Sequence, residues 1–349
     1  MTSSFIKSSR YSVSIIVPIY NSQDTLKATL SSLVSQTLND IEILCIDDGS
    51  TDNSFDIASS FSKENPKVKV YKTANNGSFL ARSKGISIAQ GEYIGFCDAD
   101  DTAEPQMFEK LYKAAKDSNA EIASCAYYRK DGTTTSKTEM NHFQGVHCVD
   151  HRSGWLVSVN TSVWNKLIRS DIAKNHFIFN LKPRISEDAL FLLSIYPNIN
   201  KIVFLPEPLY NYNINNSTAM KSINSNDIKT IIESWKQERD ELFRESLKSF
   251  IDIYDLAAFI HLGISLPLVL IETKSPNCKN CLKLLNAALD NYFSKYKNNR
   301  FLSFKYIFKN RNMMLLTFCA YAAKRCHILL PLLKVYYLLS SKLRFDFKW

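Results

Sequence analysis

The last fifty residues of this 349-residue chain hold a single acid, Asp346, against ten Lys/Arg. The whole chain carries 43 Lys/Arg and 34 Asp/Glu, so residues 1–299 hold 33 of each and are formally neutral. The excess of +9 is therefore confined to the end of the chain. This excludes a protein that is basic throughout, as a nucleic-acid coating protein would be. Eight cysteines in so long a chain do not make a disulfide scaffold. An export signal is missing, since Met1 to Tyr11 is polar and has no apolar stretch. No uncharged apolar run reaches the roughly 20 residues of a bilayer span. The longest, Leu256 to Ile271, contains His261 and Pro267 and is expected to be a buried helix. These absences predict a cytosolic protein with reduced thiols. Cys278 and Cys281 form a lone CxxC with no second pair and no nearby His, which suits one turn at a helix start better than a zinc site. What is present is a globular balance, 45% apolar and 22% charged, with length for one large domain or two ordinary ones.

The first 128 residues alternate strand and helix. Ser12 to Pro18, Ile41 to Ile46, Val68 to Tyr71, Tyr93 to Cys97 and Ile122 to Tyr128 are apolar and rich in β-branched residues, and read as strands. Asp24 to Gln36 carries Leu26, Leu30, Leu33 and Val34 at helical spacing. Ser54 to Glu64 reads as a helix, Ser78 to Ala89 as one ended by Gly91, and Pro105 to Ser118 as one opened by proline. Strands apolar on both faces and alternating with helices predict an α/β fold with a mainly parallel sheet covered on both sides. Ligands bind such sheets at the carboxyl ends of the strands.

Acids cluster at those ends. The strand Ile41–Ile46 runs into Asp47-Asp48-Gly49-Ser50-Thr51-Asp52, and Tyr93–Cys97 runs into Asp98-Ala99-Asp100-Asp101. Asp, Gly and Ser are ordinary loop and cap residues. Three acids in four positions after a buried strand, however, repel one another and call for a cation or donors, and Asp-x-Asp offers hard oxygen ligands. There is no Gly-x-Gly-x-x-Gly, so a dinucleotide-binding reading lacks its phosphate loop.

Taken together, the motifs resemble the family 2 glycosyltransferases, inverting enzymes with the GT-A fold. The matching text is Val13 to Asn21, Ser35-Gln36-Thr37, Ile46 to Asp52, Asn76-Gly77, Ala81-Arg82, Gly85-Ile86, Ala89 to Ile94 and Asp98 to Asp101, in the family's order over about 110 residues. A weaker match covers residues 160–218. The resemblance implies a nucleotide-sugar-binding and catalytic GT-A domain over 1–220, a helical extension over 221–299 and a basic, aromatic, amphipathic tail over 300–349. It further implies that Pro18 and Tyr20 hold the nucleotide base, with Tyr20 stacking on a uracil, and that Asp48 accepts from the base N–H. Arg82 would meet phosphate, against a solvated helix residue as the plain alternative. Asp98 would touch the ribose or a metal-bound water, and Asp100 would bind Mn²⁺ or Mg²⁺ at the diphosphate. Asp101 is assigned only capping or supporting work.

Inverting transfer needs a base that takes the acceptor hydroxyl's proton. Ile185 to Leu192 resembles the family's Glu-Asp motif at a helix start, so Asp188 is the base and Glu187 orients it or the acceptor; a plain N-cap is the competing reading. Trp164-Asn165-Lys166-Leu167 resembles an acceptor-side element. There Trp164 would form a stacking wall and Lys166 would join acceptor binding, against a core tryptophan. Tyr210 to Ser217 departs from the family pattern, with Asn213 where an arginine is frequent. Arg129 to Asp150 reads as a hairpin or flexible excursion over the site.

The final fifty residues interleave eleven aromatics with the ten cations, which predicts an interfacial anchor on an anionic cytoplasmic leaflet rather than nucleic-acid binding. A helical subdomain with a solvated basic face is the alternative. The overall expectation is transfer of a sugar from a nucleotide diphosphate donor, UDP-linked, to a saccharide or lipid-linked saccharide in bacterial cell-surface polysaccharide synthesis, at the inner face of the cytoplasmic membrane. A nucleotidyltransferase would need a basic loop after the first strand, where Ile19 to Asp24 has no Lys or Arg. A catalytically silent saccharide-binding or scaffold protein would not need acids at 98, 100, 187 and 188.

Overall fold

The strands β1 (Tyr11–Ile19) and β2 (Ile41–Asp47) are buried over nearly their whole length, as strands covered on both faces must be. They belong to a computed structural model that describes residues 9–130, 137–140, 142–176, 183, 185–214, 223–244, 247–273, 275, 277–303, 306 and 313–343. Contacts divide the chain into two units. The first comprises Met1–Val149, Ser162–Ile178 and Asn198–Asn216, and the second comprises Asp150–Thr161, Phe179–Pro197 and Ser217–Trp349.

The first unit alternates these strands with α1 (Leu26–Val34), α2 (Ser54–Glu64), β3 (Val68–Lys72), α3 (Ser78–Ile88), β4 (Gly91–Phe96), β5 (Thr102–Ala103), α4 (Met107–Ser118) and β6 (Ile122–Lys130). It continues with β7 (Lys137–Glu139), β8 (Gly145–Cys148), β9 (Lys166–Arg169), α5 (Ser170–His176) and β10 (Lys201–Asn213). The sheet order is β3-β2-β1-β4-β9-β6-β10-β5, with β7 on β6 and β8 on β10. Strands β3, β2, β1 and β4 run parallel, as do β6 and β10; β9 is inserted antiparallel between β4 and β6. This is the mainly parallel mixed sheet the sequence predicts. The carboxyl ends of β1, β2, β4, β6 and β10 therefore share one edge. The excursion after β6 is a hairpin: β7 pairs with Tyr127–Arg129, and β8 returns along Lys201–Phe204 at the opposite end of β10. Thr133–Thr135 lie outside the described residues.

Pro18 sits inside β1, where proline would normally cost a ladder bond. Its position resolves this. The Ile16 carbonyl accepts from Cys97 N at the last step of the β1–β4 ladder, and strand alternation points Pro18 N to that same side, past the end of β4.

Gly91 is not the helix stop the sequence suggests. Helix α3 ends at Ile88, Ala89 is already extended, and Gly91 opens β4 opposite Tyr11. The reason for glycine is a close approach to β1: a Cβ there would lie 2.4 Å from Ser14 N and 2.7 Å from the Val13 carbonyl carbon. That approach lets Ser14 Oγ accept from Gly91 N (2.7 Å) while donating to the buried Glu42 (2.6 Å), which Lys69 neutralises at 2.6 Å.

The second unit contains α6 (Glu187–Ile195), α7 (Ser225–Arg244), α8 (Ile251–Ile260), α9 (Leu266–Glu272), α10 (Cys278–Tyr292), α11 (Met313–Arg325) and α12 (Leu329–Leu343). A π-helical turn, His261–Ser265, joins α8 to α9. The resulting run, Lys248–Glu272, is long and apolar enough to cross a membrane, yet 78% of its apolar window is buried inside the protein. Asp255 explains why it belongs to a core. Its side chain is wholly buried and pairs with Arg239 at 2.6 and 3.0 Å from α7. This matches the expectation of a buried helix. Helix α10 opens on Cys278, with Cys281 buried one turn on. The two units cut across the division read from the sequence. Residues 150–161 and 179–197 join the second, and its helices run on past residue 299, with α12 packed on α9 and Phe301 and Leu302 buried.

Replacing Gly91 with alanine forces β4 away from β1, because the obstructing atoms are backbone. Gly91→Ala is expected to destabilise the protein by about 1–3 kcal/mol, read as a lower urea midpoint with an unchanged slope.

Candidate functional site

Three acids stand at the end of β4, and the fold holds their loop from two sides. Residues alternate outward and inward: Asp98 and Asp100 are partly exposed, whereas Ala99 and Asp101 are buried. From α1 and the residue just before it, the Thr29 and Thr25 hydroxyls donate to the Ala99 carbonyl at 3.0 and 2.8 Å. From β10, the Tyr210 hydroxyl accepts from Asp98 N at 3.1 Å and donates to Asp101 Oδ2 at 2.8 Å. Asn213 N donates to Asp101 Oδ1 at 2.7 Å, and its amide nitrogen donates to the Asp100 carbonyl at 2.8 Å. Asn213, where the family pattern favours arginine, thus braces the acidic turn instead of presenting a cation. Ser217 lies outside the described residues.

Asp101 is 1% exposed. Burial first, and the charge of Asp98 next, push its carboxyl up from the usual 3.8 to about 9. The inward acid is therefore biased toward its neutral form, away from the two carboxyls that face outward. Arg82 meets one of these: the guanidinium, 6% exposed on α3, donates to Asp98 Oδ1 at 2.8 Å. Arg82 is accordingly not a solvated helix residue.

Neighbouring loops are laced together. Asn21, in the left-handed region at φ 47°, accepts at Oδ1 from Thr51 N (2.9 Å), and its own N–H donates to Ser50 Oγ (3.1 Å). Gly49 turns at φ 74°, where a Cβ would meet Asn75 N at 3.0 Å. Tyr20, immediately before Asn21, is 47% exposed and Pro18 is partly exposed, so both are open at this edge.

Asp48 has an occupation that the sequence did not suggest. It is 3% exposed, and its oxygens accept from Asn76 N at 3.0 and 3.2 Å, from Gly77 N at 2.6 Å and from the Thr73 hydroxyl at 3.2 Å. A carboxylate has about four lone-pair sites, and three donors here take most of them to fix the loop entering α3. The residue expected to accept from a base N–H thus also anchors this loop.

Trp164 and Lys166 also differ from expectation. Trp164 is 5% exposed and lies over Tyr210 (4.5 Å, 14°) and Tyr212 (5.5 Å, 5°), with Tyr127 edge-on at 4.7 Å. Lys166 is 1% exposed, and its ammonium donates to the Ser162 carbonyl and to Asn165 Oδ1, both at 2.7 Å. Both side chains serve the core behind β10 and offer no wall to an acceptor.

In the second unit, Glu187 and Asp188 open α6, half-buried, ahead of a helix whose remaining residues are all buried. Ser186 before them is left-handed at φ 70° and makes no side-chain cap bond. Both acids stand in the first turn, where the helix dipole favours negative charge.

The donor set suits a hard divalent ion. Among the described residues, no three His, Cys, Asp or Glu side chains converge on one point. The chain offers instead the outward carboxylates of Asp98 and Asp100, one or two, as Mg²⁺-type sites use when phosphate and water complete the shell.

Comparison with known proteins agrees with this arrangement. Residues 14–180 match the family described as Glycosyl transferase family 2. The chain is 33% identical over 217 residues to the uncharacterized glycosyltransferase EpsJ of Bacillus subtilis, over 58% of this chain and 61% of that relative. It is 30% identical over 222 residues to the glycosyltransferase GlyG of Streptococcus pneumoniae serotype 4, over 60% of this chain and 73% of that one. The crystal structure of S. aureus TarS 1-349 in complex with UDP-GlcNAc superposes with a TM-score of 0.63 at 19% identity, covering 82% of this chain and 91% of the other. The chain belongs to glycosyltransferase family 2 and has its GT-A fold.

The protonated state of Asp101 gives a pH signature. Below about pH 4 both folded and unfolded states hold this proton. Between about 4 and 9 only the folded state does, so stability falls as pH rises through that window. In chelator, the unfolding midpoint of the native protein should drop from pH 5 to pH 8 relative to Asp101→Asn; the variant removes the titration and gives up one of the two accepted bonds, so the comparison is of the pH slope rather than of the absolute midpoint.

Proposed function

We propose that the protein transfers a sugar from a nucleotide-diphospho-sugar, UDP-linked, to a saccharide or lipid-linked saccharide with inversion, in the synthesis of a bacterial cell-surface polysaccharide. The observation that carries this reading is the clamped turn at the end of β4. It holds Asp98 and Asp100 facing outward at the open edge of the sheet, beside Arg82, in a chain of family 2. The two relatives described above are glycosyltransferases by name, which supports the class of reaction.

In this reading Tyr20 and Pro18 receive the base, and Asp98 and Arg82 face the ribose and diphosphate. Arg82 is oriented by its bond to the partly exposed Asp98, so an incoming phosphate meets a cation that is already placed. Asp100, with Asp98, would hold Mn²⁺ or Mg²⁺, which when bound neutralises charge on the departing diphosphate. Asp188 accepts the proton of the acceptor hydroxyl. The hydroxyl oxygen forms its bond to the anomeric carbon as the bond to the diphosphate breaks, and the nucleoside diphosphate leaves. Glu187 orients the acceptor or the base. The site of action in this reading is the inner face of the cytoplasmic membrane.

Asp100→Ala should lower donor turnover by about a hundredfold or more and remove its dependence on added Mn²⁺ or Mg²⁺, measured as UDP release across a panel of nucleotide sugars with metal or chelator. Turnover near the native level would remove Asp100 from the site. Asp188→Asn should lose transfer to acceptor while retaining UDP-sugar binding by calorimetry; retained transfer would remove the base assignment.

A further inference from the structure

A helix that is apolar on every side normally lies inside a protein. Helix α12 and its approach are apolar on two sides, and the protein covers only one. Leu329 and Leu333 face inward at 6% and 7% exposure, against α9 and α11. Ile328, Leu332 and Val335 face outward at 48%, 47% and 50%. Among the described residues, three of the six exposed large apolar side chains are these, at i, i+4 and i+7 on a single face.

The surroundings of this face are cationic. Arg325 and Lys334 are exposed at its borders. The charge of Lys334 reaches the Cys278 thiol on the first turn of α10. The exposed Lys279 and Lys283, with Asn277 and Asn280, line a concavity of about 340 Å³ on that same turn. Residues 300–349 contribute ten cations against one acid, although Lys305, Lys309, Arg311, Arg344 and Lys348 lie outside the described residues. A soluble protein partner would match an apolar stripe with a neutral or acidic surface of its own shape. Aliphatic side chains ringed by lysine and arginine at the edge of a basic segment match a layered partner, acyl chains beneath anionic phosphates.

We infer that Ile328, Leu332 and Val335 form the membrane-inserting face of this protein and that Lys279, Lys283, Arg325 and Lys334 engage lipid phosphates around it. The inference deepens the peripheral-membrane part of the reading above and names the residues that carry it.

The test is sedimentation of the full chain with vesicles of equal parts phosphatidylglycerol and phosphatidylcholine, beside vesicles of phosphatidylcholine alone. Native protein should pellet with the anionic vesicles, and less so at high salt. Ile328→Ser/Leu332→Ser/Val335→Ser should weaken partitioning by at least about tenfold at an unchanged unfolding midpoint, since all three side chains are already exposed. Lys279→Glu/Lys283→Glu should weaken it by about fivefold for each cation removed and flatten the salt dependence. Native protein that ignores anionic vesicles, or a triple variant that pellets as the native does, overturns the inference. So does a concentration-dependent dimer lost in the triple variant, which would assign the face to a second copy. UDP release by the same variants, with a soluble acceptor, should stay at the native level and reads the catalytic assignment separately.

Discussion

Everything at the open edge of the sheet depends on how three acids are held in four consecutive positions. Unsupported, Asp98, Asp100 and Asp101 would repel one another and the turn would open. The protein meets this by donating hydrogen bonds to the turn rather than by surrounding it with cations. Thr25 and Thr29 hold a carbonyl from one side, Tyr210 and Asn213 hold the inward acid from the other, and burial keeps that acid protonated. The other two carboxyls face outward, and Arg82 pairs with Asp98. A turn braced in this way needs little reorganisation to receive a cation-bound diphosphate, and preorganised electrostatics of that kind dominate the power of many enzymes.

The elements that brace the turn come from far apart in the chain. Thr25 and Thr29 lie about seventy residues before it and Tyr210 and Asn213 over a hundred after it, so β10 must be added to the sheet before the site is complete. Trp164, stacked on Tyr210 and Tyr212, secures that closing strand from behind. The tryptophan therefore supports the site through the core.

Much of the first unit is legible in the sequence because its strands are short, β-branched and separated by helices of regular period. The boundaries of β2, α2 and α4 fall within two or three residues of those read from pattern alone. The acids at the strand ends are legible for the same reason, since their position follows from where each strand stops. What is hidden is occupancy. Nothing in the text Asp47-Asp48-Gly49 tells which carboxylate is consumed by the N–H groups of Asn76 and Gly77, because that loop meets Asp48 only after α2 and β3 have brought it round. Gly91 misleads for a related reason. Glycine after a helix usually signals its end, but here the demand comes from β1, nearly eighty residues earlier. Tyr210 and Asn213 carry no local signal at all, and only the departure from the family pattern at Asn213 marks the segment as different.

The π-helical turn between α8 and α9 has a consequence for how this chain can vary. One extra residue in a helix rotates everything after it by about 100°. Leu266 and Leu270 are buried in the orientation that rotation gives them, and Pro267, which cannot donate to Gly263, stands where the regular ladder is already interrupted. Deleting any residue of His261–Ser265 would restore an ordinary helix, but would swing those leucines off the core and drive the proline ring against an intact turn. The length of this five-residue segment is thus as tightly specified as any side chain, and a gap here would be expected only in relatives that have also shed the proline.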